Sequence, residues 1–203
     1  MIIVAPYDAR ADHQAAIAML RARVAASATM IKIDVSAGHR LGEYKQQGPP
    51  FAELTWLLKE ALPESIKLLI ELHATADVDS VLAILRNAEL LDRTTIAAGE
   101  SHVLRRVKPP VRTCLVFPRR LRRATWLLKS MGTAAYMTGS GQDALYHQYI
   151  VDARLVQTVH RYHGMVYARA VTGGMLSRMN ILGVDAVLMK DQGGLPGESC
   201  ARQ

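Results

Sequence analysis

The chain has 203 residues, of which half are hydrophobic and 21% are charged, and its mean hydropathy is +0.06. This globular composition excludes a disordered chain, a collagen and a coiled coil, and the length suits one domain with a sizeable core. A net charge of +7 and a pI near 9.6 favour an anionic partner, such as a phosphate ester, a nucleic acid or a membrane surface.

Short apolar, β-like runs alternate along the chain with segments of helical periodicity. Eight strands are predicted at Ile2–Ala5, Met30–Val35, Lys67–Leu72, Thr94–Ala98, Val111–Phe117, Ala134–Met137, Met165–Ala170 and Ala186–Met189. Helices are predicted between them at His13–Ala26, Phe51–Leu62, Val78–Leu90, Ser101–Val107, Arg119–Met131, Gln142–Tyr162 and Gly174–Leu182. Residues 36–50 are predicted to be a loop, and the Gly/Pro-rich residues 192–203 a flexible tail.

Alternating strands and helices predict a parallel sheet with right-handed crossovers. Eight is the number of strands that closes a barrel, so we predict a compact (β/α)8 TIM barrel as a single domain over residues 1–191. An open doubly wound sheet is the alternative. No G-x-G-x-x-G follows the first strand, which argues against a dinucleotide-binding fold.

The sequence gives no sign of a membrane span or of disulfide chemistry. No apolar run reaches the ~18 residues that a span needs, and charged residues interrupt the segment Leu57–Leu72. The residues after Met1 lack the basic region and the cleavage site of a signal peptide. Two cysteines, Cys114 and Cys200, are typical of reduced thiols. We therefore expect a cytoplasmic protein.

Basic residues are concentrated between positions 105 and 129. Four of them, Arg119, Arg120, Arg122 and Arg123, alternate with apolar residues at helical spacing, which favours a solvated helix face over a nucleic-acid patch. Aromatic residues are only 5% of the chain and do not interleave with the arginines, so a base-stacking platform is not indicated.

In a TIM barrel the active site lies at the carboxyl ends of the strands. Asp34 and Glu71 at two such ends suit a hard divalent cation, or they form a polar network with Lys32 and Arg10. Lys32 itself fits three roles: a salt-bridge partner, a phosphate-binding cation or an imine-forming nucleophile. His73 suits an acid/base role or a structural hydrogen bond. The helical prediction places His147 on a surface.

Several short motifs follow one another in the order of a known family. Met30–Val35 (M-I-K-I-D-V) is similar to a strand M-I-E-L-D-V, and Ile70–His73 (I-E-L-H) to a strand I-E-I-K. Phe51–Leu54 is similar to a helix start, and Leu182–Asp191 to a closing G-V-D-x-I-x-T-D pattern. The chain therefore resembles the glycerophosphodiester phosphodiesterases over nearly the whole barrel. The resemblance implies a TIM barrel, a place in lipid metabolism and metal-dependent hydrolysis of phosphodiesters.

The departures from that family fall on its site residues. The resemblance implies a divalent cation, Mg²⁺ or Ca²⁺, held by both acids of E-x-D and the acid of E-I-K, but Lys32 replaces the first acid and leaves Asp34 and Glu71. The first strand lacks the family's catalytic His-Arg and reads Ala5-Pro6-Tyr7-Asp8, and the second catalytic His-Asp is reduced to His39 followed by Arg40. His73 replaces a phosphate-contacting lysine, and Arg169 replaces a tryptophan.

These departures predict a divergent relative, a pseudoenzyme that binds an anionic phosphate ester through Arg10, Lys32 and Arg169, with lost or altered hydrolytic activity. A first alternative is an active metal-dependent phosphodiester hydrolase, with Asp34 and Glu71 as metal ligands and His39 or His73 as the acid/base. A second alternative is a Schiff-base lyase that uses Lys32. A nucleic-acid binder rests on the arginines alone.

Overall fold

A computed structural model describes residues 1–7, 13–25, 27–36, 40–41, 50–73, 76–118, 132–134, 136 and 143–190. The strands are β1 (Ile2–Pro6), β2 (Met30–Ser36), β3 (Arg40–Leu41), β4 (Lys67–Leu72), β5 (Thr94–Ala98), β6 (Arg112–Val116), β7 (Asp143–His147), β8 (Val166–Val171) and β9 (Ala186–Met189). The α-helices whose bounds lie within these ranges are α1 (His13–Ala25), α2 (Phe51–Ala61), α3 (Val78–Asn87), α4 (Ser101–Leu104), α5 (Ala153–Arg161) and α6 (Leu176–Ile181). Short 3₁₀ turns lie at Leu91–Arg93 and Gly173–Met175.

Eight of the strands form a closed, all-parallel barrel. The strand order is β1-β9-β8-β7-β6-β5-β4-β2, and β1 closes the ring by pairing with β2. The two-residue strand β3 pairs antiparallel with the end of β2, in a region that the sequence predicts to be a loop. The predicted (β/α)8 TIM barrel is confirmed.

The barrel strands have buried side chains on both the inner and the outer face of the sheet, and these two sets pack against different parts of the molecule. One buried cluster takes residues from all eight barrel strands and from no helix, so it fills the barrel interior; Met30, Leu69, Leu145 and Tyr167 belong to it. A second cluster packs the outer strand face against the helices, as at Ile31 and Ile33 of β2. Because side chains alternate along a strand, Lys32 and Asp34 share the inward face of Met30.

The longer helices bury apolar residues against this outer face. In α2 the buried residues Phe51, Leu54 and Leu58 recur at helical spacing. Two helices begin at an aspartate that caps the first turn: Asp77 accepts from the backbone N–H of Asp79 before α3, and Asp152 accepts from that of Leu155 before α5. No helix in the described part of the chain is long and apolar enough to cross a bilayer.

The sixth barrel strand is not where the sequence analysis predicts it. The predicted strand Ala134–Met137 is wrong, since residues 132–134 and 136 are helical. The strand is Asp143–His147, inside the predicted helix Gln142–Tyr162, and that helix begins only at Ala153. The reason is a buried polar residue at the strand's start: Asp143 is fully buried, which its sequence neighbours do not reveal.

Several predictions fall outside the described residues. They are the site candidates Arg10 and His39, the predicted helix Arg119–Met131 with its arginines, and the tail 192–203. The remaining predicted elements are found. Their ends agree with the prediction or differ by up to three residues, except that the last predicted helix is split into a 3₁₀ turn and α6.

Candidate functional site

A lysine ammonium bridges two carboxylates at the carboxyl ends of β2 and β4. Lys32 Nζ lies 2.5 Å from Asp34 Oδ1, 2.6 Å from Asp34 Oδ2 and 3.0 Å from Glu71 Oε2. The backbone explains the arrangement, because Lys32 and Asp34 are two residues apart on one strand face and Asp34 is in register with Glu71. All three side chains are largely buried, with exposed fractions of 13%, 19% and 10%.

Two further side chains join this cluster, one from the end of β4 and one from β8. His73, directly after β4, places Nε2 3.0 Å from Asp34 Oδ1, and its backbone N–H donates to the carbonyl of Val35. Arg169 lies on β8, across the mouth of the barrel, and its Nη1 is 3.9 Å from Glu71 Oε1. We call Lys32, Asp34, Glu71, His73 and Arg169 the mouth cluster.

The electrostatics of the mouth cluster shift the pKa values of Lys32, Asp34 and His73. Burial lowers the pKa of Lys32, but the carboxylates of Glu71 and Asp34 outweigh burial, so the pKa lies above its ordinary value. Burial raises the pKa of Asp34, but the His73 hydrogen bond and the Lys32 charge outweigh it, and the net shift is downward. The hydrogen bond to Asp34 raises the pKa of His73 against the effect of burial. Lys32 is therefore held as an ammonium and Asp34 as a carboxylate.

A cavity of about 350 Å³ opens beside the mouth cluster. Glu71, His73 and Arg169 line one part of it, and its apolar lining includes Ala98, Val103, Val116 and Pro118. A volume of this order suits a small molecule, and the few polar groups that converge on one side would fix its orientation.

The structure also places a histidine at the mouth that the sequence analysis assigns to a helix surface. His147 ends β7, two residues after the interior residue Leu145, and is in register with Arg169. It therefore faces inward beside Arg169, and it is buried, with its ring stacked on Tyr149 at a centroid distance of 4.9 Å. The spacing of Leu145 and His147 could have indicated this position, had the strand been recognised.

An irregularity in β8 follows Arg169 directly. Ala170 has a φ of 61°, and the pairing of β8 with β9 shifts register between Arg169 and Val171. This β-bulge ends the regular alternation of the strand at the residue that enters the mouth. A left-handed conformation at an alanine stores backbone strain next to the site.

Three side chains of the mouth cluster are potential ligands of a divalent cation. Asp34, Glu71 and His73 each offer one ligand atom, and these atoms lie within 4.8 Å of one another. Oxygen and imidazole ligands in such a group would suit a metal ion. However, the Lys32 ammonium already contacts both carboxylates, and a second cation there would meet it as a like charge. With Lys32 in this position, the residues present do not fit a metal.

No protein-family model matches the chain, and no curated protein matches its sequence. Solved structures do match its fold. A Silicibacter pomeroyi protein assigned as a glycerophosphoryl diester phosphodiesterase superposes with a TM-score of 0.72 at 18% identity, over 95% of this chain and 90% of that one. A glycerophosphodiester phosphodiesterase from Thermotoga maritima has a TM-score of 0.67 at 9% identity, over 94% of both chains.

A third structure, an Oleispira antarctica phosphodiesterase in complex with the product sn-glycerol-3-phosphate, has a TM-score of 0.66 at 12% identity, over 94% of this chain and 93% of that one. At these identities the likeness concerns the fold. The chain has the barrel fold of glycerophosphodiester phosphodiesterases. The resemblance seen in the sequence motifs is confirmed at that level.

Five of the predicted site residues, the members of the mouth cluster, come together at one end of the barrel. Their proximity follows from the parallel sheet, whose strand ends all meet on one side. The roles assigned to them remain predictions, as do those of Arg10 and His39.

Proposed function

We propose that this protein binds an anionic phosphate ester at the mouth of the barrel, and that hydrolysis there is lost or altered. The observation that carries the proposal is the position of Lys32 between Asp34 and Glu71, with His73 and Arg169 beside the same cavity. This arrangement supplies positive charge without a metal ion.

The charge balance of the mouth cluster favours an anion. Its two carboxylates are offset by Lys32 and Arg169, and protonation of His73 adds one positive charge. Arginine and imidazolium donate charge-assisted hydrogen bonds to phosphate oxygens, and those bonds are stronger in a partly desolvated pocket. The Glu71 carboxylate holds the arginine only loosely, at 3.9 Å, so its other N–H groups suit a ligand in the cavity.

The fold comparison supports the same class of ligand. The Oleispira antarctica enzyme of similar fold was solved with sn-glycerol-3-phosphate, a ligand compatible with a cavity of about 350 Å³ here. We therefore choose sn-glycerol-3-phosphate as the first probe. A place in lipid metabolism and a cytoplasmic location stay predictions of the sequence.

Calorimetric titration with sn-glycerol-3-phosphate in the presence of EDTA tests the proposal. We expect saturable binding, and a rise in Tm that follows mass action. Arg169→Gln should weaken binding by roughly tenfold or more, because it removes a charge-assisted contact. Arg178→Gln, on the exposed side of α6, is the matched control and should bind as the wild type does. Absence of binding to the wild-type protein contradicts the proposal.

A second candidate function is a metal-dependent phosphodiester hydrolase. The observation in its favour is the group Asp34, Glu71 and His73, whose ligand atoms lie within 4.8 Å of one another. It requires the Lys32 ammonium to leave the carboxylates, and it assigns the acid/base role to His73 or His39. Turnover of glycerophosphodiesters that depends on Mg²⁺, Ca²⁺ or Mn²⁺, and that is abolished by Asp34→Asn, would establish it.

The Schiff-base alternative has less support. An imine-forming lysine reacts as the neutral amine. Burial lowers the pKa of Lys32, but the two nearby carboxylates raise it by more, so the pKa lies above its ordinary value. Borohydride trapping of a carbonyl compound on Lys32 is the direct test of that chemistry. The nucleic-acid alternative rests on the basic residues between positions 105 and 129, of which Arg119, Arg120, Arg122 and Arg123 lie outside the described residues.

A further inference from the structure

We infer that Lys32 is the built-in cation of this centre: its ammonium takes the place of a divalent ion among Asp34, Glu71 and His73. The identity of residue 32 then decides whether the centre binds metal. The inference rests on the geometry of the carboxylates and stands whether or not an ester binds.

The distances place the ammonium where an ion would lie. Lys32 Nζ is 2.5–3.0 Å from oxygens of Asp34 and Glu71, close to the 2.3–2.6 Å at which Ca²⁺ binds oxygen. The third ligand atom, His73 Nε2, is 3.0 Å from the same Asp34 oxygen that contacts Lys32. The ammonium and a metal ion would therefore compete for one small volume.

Lys32 cannot readily withdraw to admit an ion. Its strand is paired on both sides, with Lys32 opposite Pro6 of β1 and Leu69 of β4. The side chain is only 13% exposed and points into the barrel interior, where Leu69 and other apolar residues fill the space below. An ammonium moved from the carboxylates into that interior would lose its partners without regaining water, which is strongly unfavourable.

A glutamate at position 32 would allow a divalent ion to bind, because its side chain is shorter than that of lysine and negatively charged. The glutamate side chain is one atom shorter than that of lysine, so its terminal oxygen reaches about as far as lysine Cε. An ion one metal–oxygen bond beyond that oxygen would lie near the present position of Nζ, in contact with Asp34 and Glu71. Three carboxylates and an imidazole form a ligand set suited to Ca²⁺, Mg²⁺ or Mn²⁺.

Mn²⁺ binding, followed by the loss of the free-ion EPR signal and by thermal shift, tests this inference. We expect no saturable binding to the wild-type protein at millimolar Mn²⁺. Lys32→Glu should bind Mn²⁺ saturably, at concentrations at least tenfold below this, with a metal-dependent rise in Tm. Lys32→Gln removes the ammonium and adds one neutral oxygen, so it should show a smaller gain. Lys67→Glu makes the same charge change at the exposed opposite end of β4 and should show none.

Two results would overturn the inference. One is saturable Mn²⁺ binding to the wild-type protein that Asp34→Asn abolishes, because the ammonium would then not exclude the ion. The other is a folded Lys32→Glu protein that binds Mn²⁺ no better than the wild type does. If Lys32→Glu does not fold, a Lys32→Gln protein that binds Mn²⁺ no better than the wild type contradicts the inference equally. Ester binding is measured in EDTA, so failure of that proposal and failure of this one are separate observations.

Discussion

Asp143 accepts two hydrogen bonds from one guanidinium at the amino-terminal end of the barrel: Arg112 Nε lies 3.1 Å from Oδ2, and Nη2 lies 2.5 Å from Oδ1. The backbone N–H of Met165 also donates to Oδ1, at 2.8 Å. The carboxylate is fully buried, whereas the Arg112 side chain is 44% exposed. The pair therefore joins β6, β7 and the start of β8 through a single buried charge.

Removing the two partners should have unequal effects on stability. Arg112→Met leaves a buried carboxylate without its counterion and should lower the free energy of unfolding by roughly 3 kcal/mol. Asp143→Asn should cost roughly 1–2 kcal/mol, because asparagine can still accept from Met165 and the half-exposed guanidinium regains water. Urea denaturation measures both, and equal losses would contradict the asymmetry.

Replacement of Ala170 by glycine should stabilise the protein. A left-handed φ of 61° costs alanine about 1 kcal/mol or more, and glycine adopts it without strain. Glycine also has more conformational freedom in the unfolded chain, which offsets part of this gain. The free energy of unfolding should therefore rise by up to about 1 kcal/mol. Ala168→Gly is the control, since Ala168 is fully buried in the regular part of the same strand and should lose stability. A loss in both variants would count against strain at Ala170.

The stability of the protein should fall with rising pH because of His73. Its hydrogen bond to Asp34 raises its folded-state pKa above the ordinary value of 6.5. A raised pKa gives a stabilising contribution that is complete below pH 6.5 and is lost as the pH rises through the folded-state value. Urea titrations from pH 5.5 to 9 in EDTA should show this decline in the wild-type protein and a flatter curve in His73→Gln. Parallel stability curves for the two proteins would show that His73 does not cause the decline.

His147 should contribute to ester binding. It lies in register with Arg169 at the inner edge of β7, where an imidazole can donate to a phosphate oxygen. His147→Ala should weaken sn-glycerol-3-phosphate binding by roughly tenfold, the value of one hydrogen bond to a charged group. Calorimetry with Arg178→Gln as the control checks this, and an unchanged Kd for His147→Ala would show that His147 does not contribute to ester binding.

The barrel itself could be predicted because periodicity and strand count carry that information. Lys32, Asp34 and Glu71 could be placed at one end for the same reason, since every parallel strand ends on that side. The sequence leaves their pairing as one of several alternatives, because a lysine beside two acids also allows a displaced side chain and a bound ion. Distances alone decide between them.

The error at the sixth strand has a comparable origin. Asp143 breaks the apolar pattern that identifies a buried strand, and it is tolerated there because Arg112 and Met165 lie opposite it across neighbouring strands. Such partners are 22 and 31 residues away in the chain, so local pattern does not reveal them. The same error removed His147 from the predicted site.

The apolar interior of the barrel separates two groups of polar side chains. Leu69, Leu145 and Tyr167 fill the space between the ion pair at one end and the mouth cluster at the other. The two polar ends are thus separated by packed apolar side chains. Changes at the Arg112–Asp143 end can adjust the stability of the barrel without altering a direct contact of the mouth cluster, so effects on stability and on ligand recognition should be close to additive.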